Sequence, residues 1–137
     1  MLNNVLRHEQ STYIPENLRK MVTQRANYRC EYCHIQEEDA FFTFPIDHII
    51  SLKHGGTTVP ENLAYTCFPC NSNKGSDIGT VLLPEMTFIR LFNPRIDEWA
   101  THFTVQNGVF YPKTLEAQAT IKILKLNDKN RVLERNA

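Results

Sequence analysis

At 137 residues, 42% apolar and 22% charged, the chain has ordinary globular composition and room for one domain or a small domain with an ordered tail. No apolar run approaches the ~18 residues of a membrane span, and Met1-Leu2-Asn3-Asn4-Val5-Leu6-Arg7-His8 turns polar too early for a secretory signal. A soluble cytoplasmic protein with no membrane partner is the expectation. Fifteen basic side chains balance fifteen acidic ones, so net charge singles out no partner. The distribution is uneven: residues 1–29 hold five basic and two acidic groups (+3), 30–70 one and six (−5), and 71–137 nine and seven (+2).

Residues 1–14 read as a polar N-terminal segment, its first dozen loosely held. A helix is predicted from about Pro15, which suits a first helical position after Thr12 or Tyr13. Ile14, Leu18, Met21, Val22 and Ala26 form its apolar stripe. Phe41 to Ile50 reads as a strand, with Pro45 implying an edge or a bulge. Ser51 to Asn62, holding Gly55-Gly56 and Pro60, is a loop. Leu63 to Thr66 is a short second strand, and a short helix runs from Pro69 or Cys70 to Gly75. In the tail, His102–Gln106 and Val109–Tyr111 flank Asn107-Gly108, a hairpin signal through a type I′ turn. Thr114 can cap a final helix from Leu115 to about Leu126, although alternation of Leu115, Ala117, Ala119, Ile121 and Ile123 also fits a strand.

The four cysteines fall as Cys30-Glu31-Tyr32-Cys33 and Cys67-Phe68-Pro69-Cys70, two CxxC knuckles separated by 33 residues. Four thiolates delivered in pairs suit a tetrahedral structural zinc. Two disulfides would need an oxidising compartment, which nothing in the sequence signals. A redox CxxC accounts for one pair only. Zinc is the reading.

Between the knuckles, Asp47 stands beside His48, Asn62 follows 14 residues after that histidine, and Asn71 to Lys74 lie 23 to 26 residues after it. Asp47 offers a hard oxygen for Mg²⁺ or Mn²⁺, and His48 a base that titrates near neutrality. Successive strand residues face opposite sides, so a bulge or twist near Pro45 would let both reach one site.

The order CxxC, Asp47-His48, Gly55-Gly56, Glu61-Asn62-Leu63, Cys67-Phe68-Pro69-Cys70-Asn71 and Lys74-Gly75 resembles the HNH endonucleases over residues 15–76. The resemblance implies an α+β fold: a ββα-metal core over residues 15–80, pinned by Cys30, Cys33, Cys67 and Cys70, preceded by a helix. A C-terminal hairpin and helix extension, 81–137, packs on that core. The tail, with Leu91-Phe92-Asn93-Pro94-Arg95 and Trp99-Ala100-Thr101-His102-Phe103, is similar to extensions of stand-alone bacterial HNH proteins.

By this resemblance His48 is the general base, Asp47 and Asn71 hold a catalytic Mg²⁺ or Mn²⁺, and Asn62 holds the loop that orients the base. Asn71 departs from the family name, since many members have His there and others Asn. Lys74, Lys53 and Arg29 are phosphate candidates; Lys74 as a solvated helix residue and Asn62 as a plain loop cap are the bland alternatives. His34 and His54 read as structural or surface groups, His8 and His102 as incidental, and Phe92, Trp99 and Phe103 as core of the tail. The implied function is metal-dependent hydrolysis of DNA. A non-catalytic zinc module for nucleic acid or protein, and a defence or toxin nuclease working with a protein partner, are the alternatives; a homodimer is also open.

Overall fold

Helix α1 spans Glu16–Arg25 in the computed structural model, which describes residues 13–40 and 43–137. The loosely held first dozen residues fall outside the described residues. Pro15 occupies the N-cap rather than the first helical position, because its ψ of 152° is still extended. Its carbonyl accepts from Arg19 N at 2.9 Å and so opens the helix. Val22 is fully buried, with Ile14, Leu18, Met21 and Ala26 packed around it.

The chain then makes a two-stranded antiparallel sheet from β1 (Ile46–His48) and β2 (Leu63–Tyr65). Only three residues of the expected 41–50 strand pair, and 41 and 42 lie outside the described residues. Pro45 offers no N–H on one side, and the chain bends at Ile49 and Ile50 on the other. The pairing runs unbroken through Asp47 opposite Ala64 and His48 opposite Leu63, so the expected bulge is not there. Helix α2, Phe68–Lys74, completes the ββα unit.

Charged side chains occupy the outer edge of β2. Leu63 O accepts from Arg25 Nη2 at 2.8 Å and from Arg95 Nη1 at 3.3 Å, and Tyr65 N donates to Glu31 Oε2 at 2.8 Å. Arg95 also pairs with Glu31.

The tail adds a hairpin of β3 (Gly79–Leu82) and β4 (Thr87–Arg90), a one-turn helix α3 (Trp99–His102), a second hairpin of β5 (Phe103–Gln106) and β6 (Val109–Pro112), and helices α4 (Leu115–Leu124) and α5 (Lys129–Asn136). Asn107 and Gly108 carry the positive φ values, 53° and 80°, of a type I′ turn. Thr114 Oγ1 accepts from Ala117 N at 3.1 Å, and this cap decides for a helix over residues 115–124. Trp99 fastens the tail to the first knuckle: its Nε1 donates to Tyr32 O at 2.8 Å and its ring stacks on His34 at 4.0 Å. Phe92, Phe103 and Phe110 are buried beside it, and α4 packs against α2 and the β3–β4 hairpin. Among the described residues, no helix is long and apolar enough to cross a membrane.

Candidate functional site

The two knuckles converge. The first is a tight turn between α1 and β1, and the second places Cys67 just before α2 and Cys70 in its first turn. All four sulfurs are buried and lie within 4.8 Å of one another. Cys33 and Cys67 Sγ are 3.6 Å apart, far beyond a disulfide bond and close to the edge of about 3.8 Å expected for a tetrahedron of Zn–S bonds. Burial pushes the Cys30 and Cys70 thiols well up, whereas hydrogen bonds from its three neighbours hold Cys33 down. Four such thiols ionise together only around a cation, and the all-sulfur donor set fits zinc.

Tyr32, between the knuckle cysteines, reaches from this centre toward β1. Its hydroxyl donates to Asp47 Oδ2 at 3.1 Å, and burial with the nearby carboxylate keeps it protonated. Lys74, on the last turn of α2, approaches the same carboxylate at 3.2 Å from Oδ1 and 3.1 Å from Oδ2, and also donates to His48 O at 3.0 Å. Burial raises the Asp47 carboxyl to about 6 even though Lys74 and Tyr32 pull it down. At neutral pH the pair is therefore ionic.

Asp47, His48 and Asn71 line one hollow of about 220 Å³, together with Ser51, Gly75 and Ser76. Asp47 and His48 both line it although they are successive paired residues of β1. His48 is half-buried with Nε2 2.8 Å from Thr58 Oγ1. Burial first, and then Lys74, lower its pKa below 6.5, so the ring is neutral at pH 7. Asp47 and Asn71 bring hard oxygen donors to that hollow, and each carboxylate oxygen can accept beyond the bonds it already makes. Donors of that type suit a hard divalent cation.

Asn62 stands behind the hollow. Its Oδ1 accepts from Ile50 N at 2.8 Å, while Nδ2 donates to Ile50 O at 2.9 Å and Thr57 O at 2.8 Å. Gly56 is required inside this loop, since a Cβ there would sit 1.7 Å from Ile50 O. Lys53 is exposed on the turn next to the hollow, beside Leu52 in its wall. Arg29 is elsewhere, lining a separate hollow with Arg25, His34 and Trp99.

Three partners escape a reading of the sequence: Tyr32, Thr58 and Arg131. Arg131, on α5, is buried with Nη2 3.0 Å from Cys70 Sγ, and the thiol cluster holds its guanidinium charged. Tyr32 could have been suspected from its place inside a knuckle; nothing local marks Thr58 or Arg131.

Residues 30–77 match the family model described as HNH endonuclease, and the matched stretch contains all four cysteines, Asp47, His48, Asn62 and Asn71. This segment is similar to the HNH endonucleases. The match points to nuclease-type function for the HNH segment. Neither a curated protein nor a solved structure is similar enough to the chain to register as a match.

Proposed function

We propose that this protein is a metal-dependent endonuclease that hydrolyses DNA phosphodiester bonds, built as an HNH core over residues 15–80 with zinc on its four cysteines and residues 81–137 bracing it. The observation that carries the reading is the meeting of a neutral histidine, a carboxylate and an amide in one hollow at the end of β1.

Asp47 and Asn71 would hold a divalent cation, which supplies Lewis-acid stabilisation of the charge that builds on the leaving oxygen. The chain's own residues do the rest. The general-base role requires the tautomer in which Nε2 donates to Thr58 Oγ1 and Nδ1 keeps the lone pair that accepts the proton. It takes a proton from the attacking water as oxygen bonds to phosphorus and the 3′-oxygen departs, leaving 5′-phosphate and 3′-hydroxyl ends. Asn62 keeps the loop carrying Thr58 in place, and through Thr58 the ring of His48. Lys74, buried against Asp47, orients that carboxylate rather than meeting a phosphate directly. Lys53 is the exposed cation best placed for the DNA backbone.

The balanced charge of the whole chain favours a version of this reading in which a protein partner or second copy widens the basic surface. The test is nicking of supercoiled plasmid by wild type and His48→Ala with Mg²⁺, Mn²⁺ or EDTA. Metal-dependent nicking that the variant loses is the expected result. A folded, zinc-loaded wild type that fails to cut with any of these metals would turn the reading toward a partner-dependent effector or a binding module.

A further inference from the structure

Helix α5 sits 61 residues beyond Cys70 in the chain, yet one of its side chains ends on the thiol cluster. Arg131 Nη2 lies 3.0 Å from Cys70 Sγ and 3.8 Å from Cys67 Sγ. Its other nitrogen, Nη1, donates to Leu124 O at 2.7 Å and reaches Lys125 O at 3.5 Å, where α4 ends. The side chain is 6% exposed, so this is an interior contact between a full charge and two sulfurs. A guanidinium is rarely buried without an anion to meet. Neutral thiols would not repay that burial, whereas thiolates around a divalent metal would.

The charges make the point independently. Four thiolates and one Zn²⁺ sum to −2, and all four sulfurs are at 4% exposure or less. A buried dianion needs a cation or several N–H donors around it. Arg131 provides one positive charge and a directed N–H within hydrogen-bond reach. Arg135, on the same helix, feels the cluster only as charge: its Nε donates to Gly108 O at 2.8 Å instead of to a sulfur.

We propose that Arg131 is the charge-compensating partner of the zinc thiolates, donating to the sulfurs of the second knuckle and making the C-terminal helix part of the metal centre. The inference rests on the reading that zinc occupies the four-cysteine cluster. By donating to Cys70 and lying beside Cys67, Arg131 stabilises negative charge on those sulfurs and so holds the metal more tightly. It also bonds to the end of α4, so the same guanidinium ties two tail helices to the knuckle that opens α2. Since α2 carries Asn71 and Lys74, Arg131 is a positioning residue for the hollow as well as a partner of the zinc.

The test uses the full chain as wild type, Arg131→Met, Arg131→Lys and Arg135→Met. Zinc affinity is measured by competition with a chromogenic chelator, and the sulfur-to-cobalt charge-transfer band is recorded after Co²⁺ replaces zinc. Arg131→Met is expected to bind zinc at least about tenfold more weakly and to move the cobalt band to lower energy. Arg131→Lys, which keeps the charge without the fork, should fall between. Arg135→Met removes a charge from the same helix but no N–H donor to a sulfur, and should move the band less than Arg131→Met does. If Arg131→Met does not fold, the lysine variant decides: a shifted band upholds the proposal and an unshifted one overturns it. Unchanged affinity and band in a folded Arg131→Met overturn it too, as does an equal shift in Arg135→Met. A wild type that holds no zinc at all overturns the zinc reading and this inference together, and is told apart by metal content alone.

Discussion

Lys74 Nζ lies 3.1 Å from Asp47 Oδ2 and 3.2 Å from Oδ1, with neither side chain more than 3% exposed. An ion pair so placed is asymmetric in its consequences: removing both charges is mild, whereas removing one strands the other. Lys74→Met should therefore destabilise the fold by about 3–5 kcal/mol, read from urea unfolding. Adding Asp47→Asn to it should recover part of that loss. A single variant within about 1 kcal/mol of wild type, the scale of an exposed pair, would contradict the buried geometry.

His48→Ala should leave the circular dichroism spectrum and zinc content intact while slowing plasmid nicking at least ~100-fold, the contribution of a general base. Unchanged nicking would remove His48 from the chemistry.

The pH profile of nicking follows from the same ring. Burial and Lys74 hold the His48 pKa below 6.5, so the neutral, proton-accepting form already dominates at mildly acidic pH. The rate should rise with pH through a midpoint under 6.5 and be level by neutrality. A midpoint at or above 6.5 would mean the ring is not shielded as the structure has it.

Asn62→Asp and Gly56→Ala probe the loop that carries Thr58. The aspartate keeps the acceptor for Ile50 N but loses both donated bonds, to Ile50 O and Thr57 O. A loss of about 1–3 kcal/mol is expected for the orphaned carbonyls, with nicking reduced alongside. In Gly56→Ala the new methyl meets Ile50 O, so the loop must shift, and a similar loss of about 1–3 kcal/mol should follow. Asn62→Asp with wild-type stability and activity would make the loop irrelevant to the base.

Cys67→Ser, or prolonged exposure of wild type to a strong chelator, should unfold the core, because binding energy of a structural zinc is largely folding energy. Melting temperature and zinc content together report it. A serine variant that melts where wild type does would separate the metal from the fold.

Much of this was legible in the residues because it is local. Asn107-Gly108 demands positive φ, Thr114 offers a cap, and each CxxC is a turn that presents two sulfurs, so hairpin, helix and cluster follow from neighbours in sequence. The β3–β4 hairpin was not legible: Leu83-Pro84-Glu85-Met86 lacks the Asn-Gly type of signal, and Val81 and Phe88 face outward where an apolar pattern suggests a core. Helix α5 lies beyond the last element predicted from the sequence, and burial of Arg131 depends on a sulfur cluster far away in the chain. Asp47 and His48 line one hollow from successive paired positions of β1, without the bulge that strand alternation suggests. Lys74 has the spacing of a surface contact from Asn71, and only the crossing of α2 over β1 turns it inward.

The two strands that carry the hollow have both outer flanks taken by charged side chains: Arg25, Arg95 and Glu31 along β2, and Lys74 at His48 O on β1. A third strand, from another molecule or a misfolded neighbour, finds no free carbonyl at these positions to pair with. The sheet therefore cannot grow by edge-to-edge polymerisation, and crowding of many copies should not smother His48 beneath an added strand.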